Sequence, residues 1–182
     1  MEEQQTPFQA SVKPGLTIGL VSLALTYIAY FIDSSLLASA WFGLVALAVF
    51  FVLIIFFGRQ YRAELGGFMS FGTAFNFSFI TMILSGLVTL VGQILLFQVI
   101  DPSLPQVLGD LSFEASLKMM ETLGQNPDSL DPTILDEMRE GTISNFTLSG
   151  QLKNFGFGLI AYAIIALILG AILKKRDKSL EF

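Results

Sequence analysis

From Leu36 to Phe57 the chain carries no charged side chain at all. That single run restricts the fold more than any other feature. About 20 apolar residues in a helix match a hydrocarbon layer of about 30 Å. Within such a layer a helix hides every backbone donor and acceptor in its own ladder. A helix apolar on every side has no face suited to water. Three more apolar runs follow the same pattern. Leu16–Ile32 lies before it, Ala74–Ile100 after it, and residues 152–173, apolar from Phe155, close the series. A mean hydropathy of +0.70 and a charged fraction of 14% agree, since soluble domains carry about 25% charged residues. The expected fold is all-α: a polytopic membrane protein with four transmembrane helices in two antiparallel hairpins.

Pro14-Gly15 marks the predicted start of the first span (16–32), leaving residues 1–14 as a polar tail. Asp33-Ser34-Ser35 is the turn into the second span (36–57). The third span (74–100) is longer than the hydrocarbon layer by about 10 Å at 1.5 Å per residue, so it tilts or projects. Asp101-Pro102 ends it, because a residue before proline is pushed out of the α region.

Segment 101–151 is predicted to be an acidic outer loop. It holds nine acids against two bases, a net of −7, in a chain whose total is −5. Two short amphipathic helices are expected there. One runs from Ser112 to Leu123 with Gly124 as its cap. The other has Asp131 as N-cap and Pro132 at the first helical position, and ends at Gly141. Residues 174–182 form a basic tail. Lys13, Arg59, Arg62, Lys174, Lys175, Arg176 and Lys178 fall on one side of a four-span scheme, against Lys118, Arg139 and Lys153 on the other. The positive-inside rule then sets both termini in the cytoplasm and the acidic loop outside. A cleaved leader ending at Ala38-Ser39-Ala40 is the rival reading. Its n-region, with Glu2 and Glu3, is not basic, and the small-residue site falls inside the next apolar run.

The chain has no Cys and no His. Disulfides, thiolate metal sites and the usual neutral-pH base are thereby excluded. No ionisable residue lies well inside a span, which argues against a proton-coupled carrier. The loop carboxylates lack the spacing of a calcium loop. No catalytic, cofactor-binding or metal-binding residue is assigned, and nothing points to nucleic acid. Ser78, Thr81, Ser85, Thr89 and Gln93 share one face of the third span. They are read as helix-packing contacts, with a lipid groove as the alternative. Gly15 and Gly19 form a small-residue packing seam on the first span. Arg59 and Arg62 are candidates for a phosphate or lipid head group, beside their role in setting topology. Asn145-Phe146-Thr147 fits an N-glycosylation pattern.

Gly67-Phe68-Met69-Ser70-Phe71-Gly72-Thr73-Ala74-Phe75 resembles the G-x-x-S-F-G-x-A-F stretch of a family of small Bacteroidetes membrane proteins, DUF4199, a domain of unknown function. Ile100-Asp101-Pro102 after the third span and Leu173-Lys174-Lys175 after the fourth extend the likeness over nearly the whole chain. The resemblance implies four spans in a bacterial inner membrane, and brings no activity or catalytic residues with it. In that setting Asn145 is not glycosylated by the eukaryotic route. The function expected from the sequence is a non-enzymatic accessory or assembly subunit without cofactor. It would contact membrane lipid and either a membrane-protein partner or copies of itself. The alternative is a lipid- or isoprenoid-handling, flippase-like protein.

Overall fold

The computed structural model describes residues 5–176, which are helical with one isolated β-bridge and no strand. The helices are α1 (Pro7–Ile32), α2 (Ala40–Glu64), α3 (Phe71–Leu95), α4 (Leu104–Thr122), α5 (Pro132–Ser144) and α6 (Leu148–Leu173). Four of them are long and apolar enough to cross a membrane: α1, α2, α3 with its continuation to Ile100, and α6. The chain thus has the character of a multi-pass membrane protein. Lys178 and the end of the basic tail, like residues 1–4, lie outside the described residues.

Helix boundaries follow local chemistry, and several depart from the sequence expectation; α2 runs Ala40–Glu64 rather than 36–57, because Asp33 accepts the Ser35 amide and caps a separate short turn over Ser34–Ala38. α1 starts at Pro7, within the segment expected to be a tail. Thr6 and Gln9 form a reciprocal capping box there. The Gln9 amide donates to Thr6 Oγ1 at 3.3 Å, and the Thr6 amide donates to Gln9 Oε1 at 3.0 Å. Pro7 takes the first helical position, where its missing N–H costs nothing. Pro14, expected to open the span, lies inside the helix. α3 starts at Phe71 because Ser70 Oγ accepts the Thr73 amide at 3.1 Å. Its last turn, Leu96–Ile100, widens to a π-helix before Asp101. α6 starts at Leu148, ahead of Phe155, with the Thr147 hydroxyl accepting the Gly150 amide at 3.2 Å.

The contacts divide the chain into two compact units. One contains residues 1–24, 45–89 and 156–182; the other contains 25–44 and 90–155. In the first unit, Ile18, Ile54, Met82, Ala166 and Leu169 bring α1, α2, α3 and α6 into one apolar core. A neighbouring cluster holds Ala10, Tyr61, Met69, Ala74, Phe77 and Leu173. The Tyr61 and Phe77 rings stack at 5.2 Å. Gly66 and Gly67, at φ of 86° and 90°, turn the chain after α2 into backbone geometry that side chains disfavour. Met69 beyond them then pairs with Lys175 through two antiparallel hydrogen bonds of 2.9 and 2.8 Å.

The second unit packs Leu96, Phe97, Leu104 and Leu108 against Tyr27, Tyr30, Leu37 and Phe146. Both tyrosines are tied down. Tyr27 donates to the Gly92 carbonyl at 2.9 Å and Tyr30 to the Asp101 carboxylate at 3.2 Å. α4 and α5 pack on each other where Gly109 meets Ile143; a Cβ on Gly109 would sit 2.6 Å from the Ile143 Cα. Arg139 Nε donates to Asp110 at 2.7 Å beside that contact. α4 begins eight residues ahead of the expected Ser112, because Asp101 accepts the Ser103 amide and hydroxyl and anchors the turn before it.

Candidate functional site

The polar stripe of α3 does not form one groove. Ser78, Thr81 and Ser85 are buried in the first unit. Their neighbour across the interface is the glycine seam of α1. A Cβ on Gly15 would lie 2.6 Å from Leu84 Cβ and 3.2 Å from the Thr81 carbonyl oxygen. One on Gly19 would lie 2.6 Å from Val88 Cβ and 3.0 Å from the Ser85 carbonyl oxygen. Glycine therefore lets the backbones of α1 and α3 approach more closely than a side chain would allow. One turn earlier the Ser11 hydroxyl, fully buried, donates to the Pro7 carbonyl at 2.6 Å or the Phe77 carbonyl at 3.0 Å. The hydroxyl oxygens of Ser78 and Thr81 are shielded and have no hydrogen-bond partner. Thr89 is half-buried at the edge of this unit. Gln93 belongs to the second unit and to a different environment.

Arg62 and Arg59 part company as well. The Arg62 guanidinium donates to the Leu173 carbonyl at 3.1 Å, satisfying one of the free acceptors at the end of α6 and complementing its dipole. Arg59 is exposed. A cavity of about 240 Å³ near the start of α1 is lined by Lys13, Gln60, Tyr61 and Glu64. Lys175 Nζ sits 5.7 Å over the Phe68 ring, beside the Met69 pairing.

Gln93 lines a cavity of about 450 Å³ in the second unit, with Thr26, Asn145, Gln151 and Asn154 as the other polar groups. Phe42, Phe97 and Phe146 contribute rings. Phe97 and Phe146 meet edge to face at 6.1 Å. Gln151 is the buried member, 6% exposed. Its Nε2 donates to the Phe146 carbonyl at 3.0 Å, and its Oε1 is shielded with no partner. The lining combines carboxamides, one hydroxyl and aromatic rings, with no charged side chain among the residues named for it. Such a surface suits hydrogen bonding to a neutral group and does not match a phosphate or an ammonium.

The sequence singled out Gln93 as part of the third span's polar stripe and Asn145 as a glycosylation pattern, and assigned no role to Gln151 or Asn154. Their i, i+3 spacing on one helix face was the available signal. Among the described residues no three carboxylates gather as a metal site. Outside the spans, hydrogen bonds hold four carboxyls below their ordinary range: Asp33 from Ser35, Asp101 from Ser103, Asp110 from Arg139 and Asp131 from Thr133. Each is a capping or pairing group.

No curated protein and no solved structure matches the chain. The family described as "Protein of unknown function (DUF4199)" matches residues 13–175. That match contains the Gly66-Gly67 turn, the Ser70 cap, the α1–α3 seam and every lining residue of the carboxamide cavity. It covers most of the chain, and the protein therefore belongs to the DUF4199 family.

Proposed function

We propose that this protein is a non-enzymatic accessory or assembly subunit of a bacterial inner membrane, with both termini in the cytoplasm. One observation carries the reading. α4 and α5, in the segment between the third and fourth apolar helices, pack on each other as an acidic pair, and its apolar residues are not all used internally. Met119 in the last turn of α4 and Leu123 at its C-cap are 66% and 69% exposed. The surrounding segment, 101–151, has a net charge of −7. An apolar knob within an acidic surface fits the basic extramembrane segment of another membrane protein. The topology draws support from the first unit. Tyr61 donates to the Gln5 carbonyl, Arg62 to the Leu173 carbonyl, and Met69 pairs with Lys175. The chain before α1, the α2–α3 turn and the chain after α6 thus share contacts, as an even number of crossings requires. Co-purification in mild detergent tests the role. A partner should be retained by the wild type and lost both from a Met119→Asn/Leu123→Asn variant and at high salt. A strictly monomeric protein with no retained partner contradicts it. Lipid handling is the second reading, and the carboxamide cavity favours it.

A further inference from the structure

We infer that the cavity between Gln93 and Gln151 binds an uncharged, hydroxyl-bearing group of the polyol or sugar type. This goes beyond the accessory role and stands independently of it. The cavity, about 450 Å³, lies within the roughly 300–1,000 Å³ range of small-molecule sites. Its chemistry is selective. Gln93, Asn145 and Asn154 offer both donors and acceptors. Gln151 is committed on its donor side to the Phe146 carbonyl, which leaves its Oε1 as a shielded acceptor facing no donor of the protein. An acceptor left in that condition costs about 1–3 kcal/mol, and an incoming O–H removes the penalty. Phe97 and Phe146 supply an apolar wall for the C–H face of a ring. A charged group entering here would lose water and gain no counter-charge.

Such a group has two sources: the head of a neutral glycolipid, or a free sugar or polyol. The lining comes from the end of α1, the start of α2, the end of α3 and the start of α6, together with Leu37 before α2, Leu108 of α4 and the chain before α6. All four apolar helices thus contribute, so a lipid head group is the source expected to bind.

The test uses the full chain in phosphatidylcholine nanodiscs. In one arm monoglucosyl diacylglycerol is included, and retained lipid is read by native mass spectrometry. In the other, glucose is titrated in solution and hydrogen exchange of residues 142–155 is followed. Phosphatidylserine serves as the charged control. Retention of the glycolipid, weakened about tenfold in Gln151→Leu and in the exposed-site variant Asn154→Leu, supports the inference and identifies a lipid head. Protection by glucose with the same loss in both variants supports it and identifies a free sugar. Three results overturn it: neither probe binding, equal binding by both variants, or equal retention of phosphatidylserine. An experimental map showing ordered water alone around Gln151 in the presence of glycolipid would do the same. Because Asn154 is exposed, its variant keeps the test valid even if Gln151→Leu does not fold.

Discussion

Gly19→Ala isolates the close approach of α1 to α3. The new methyl carbon would lie 2.6 Å from Val88 Cβ, 2.9 Å from Val88 Cγ1 and 3.0 Å from the Ser85 carbonyl oxygen. Ordinary carbon contacts are about 3.5–4.0 Å, so the helices must separate by about 1 Å. The atoms in the way are a Cβ and a backbone carbonyl, neither of which swings aside. Overpacking of this kind costs about 1–3 kcal/mol. Alanine returns up to about 1 kcal/mol in helix propensity. The net expectation is a loss of about 1–2 kcal/mol, read as a fall of about 5 °C in the unfolding midpoint in detergent. Gly43→Ala is the matched control, since a Cβ there meets nothing within 4 Å on the same kind of apolar helix. It should leave the midpoint unchanged or raise it slightly. Gly19→Ala as stable as the wild type, or Gly43→Ala equally damaging, would refute the proposed seam.

Gly109→Val should loosen α4 from α5, since even a Cβ there would sit 2.6 Å from the Ile143 Cα; faster hydrogen exchange confined to 104–144 is the readout. The same pair should respond to acid. Asp110, held below its ordinary 3.8 by Arg139, contributes fully above 3.8, and that contribution fades as the pH falls through its lowered value. Protection of the α4 and α5 amides, measured against the intrinsic exchange rate at each pH, should therefore be steady from neutral pH down to 3.8 and fall below it, with Arg139→Gln reducing the acid dependence. Arg62→Gln should speed exchange at the end of α6 by removing the bond to the Leu173 carbonyl, whereas Arg59→Gln, at an exposed position, should not.

The apolar cores of the spans were legible because lipid as solvent demands long uncharged helices, and no other solvent does. Their ends were not legible from hydropathy. Pro14 drew the start of α1 inward, since proline inside a helix costs about 3 kcal/mol, while the Thr6-x-x-Gln9 box announced the true start in four residues. Asp131-Pro132 at the start of α5 carried a cap and a first-turn proline together, and the helix begins there. The small-residue face of α3 was visible by period, but its division was not. Thr81 and Ser85 meet glycines of α1, whereas Gln93 lines a cavity completed by Asn145, Gln151 and Asn154 far along the chain. Periodicity reports which residues share a face, and only the fold decides what that face meets. The conspicuous Gly-Phe stretch proved architectural in this chain: Gly67 turns, Met69 pairs with Lys175 and Ser70 caps α3.

The proposed function rests on four crossings with both ends on one side. Because the chain has no cysteine, single cysteines introduced at Lys13, Asp128 and Lys174 report their compartments directly through a membrane-impermeant maleimide on intact cells. Lys13→Cys and Lys174→Cys should label only after the membrane is opened, and Asp128→Cys without opening it. Labelling of all three on intact cells, or of none until the membrane is opened, would contradict the account.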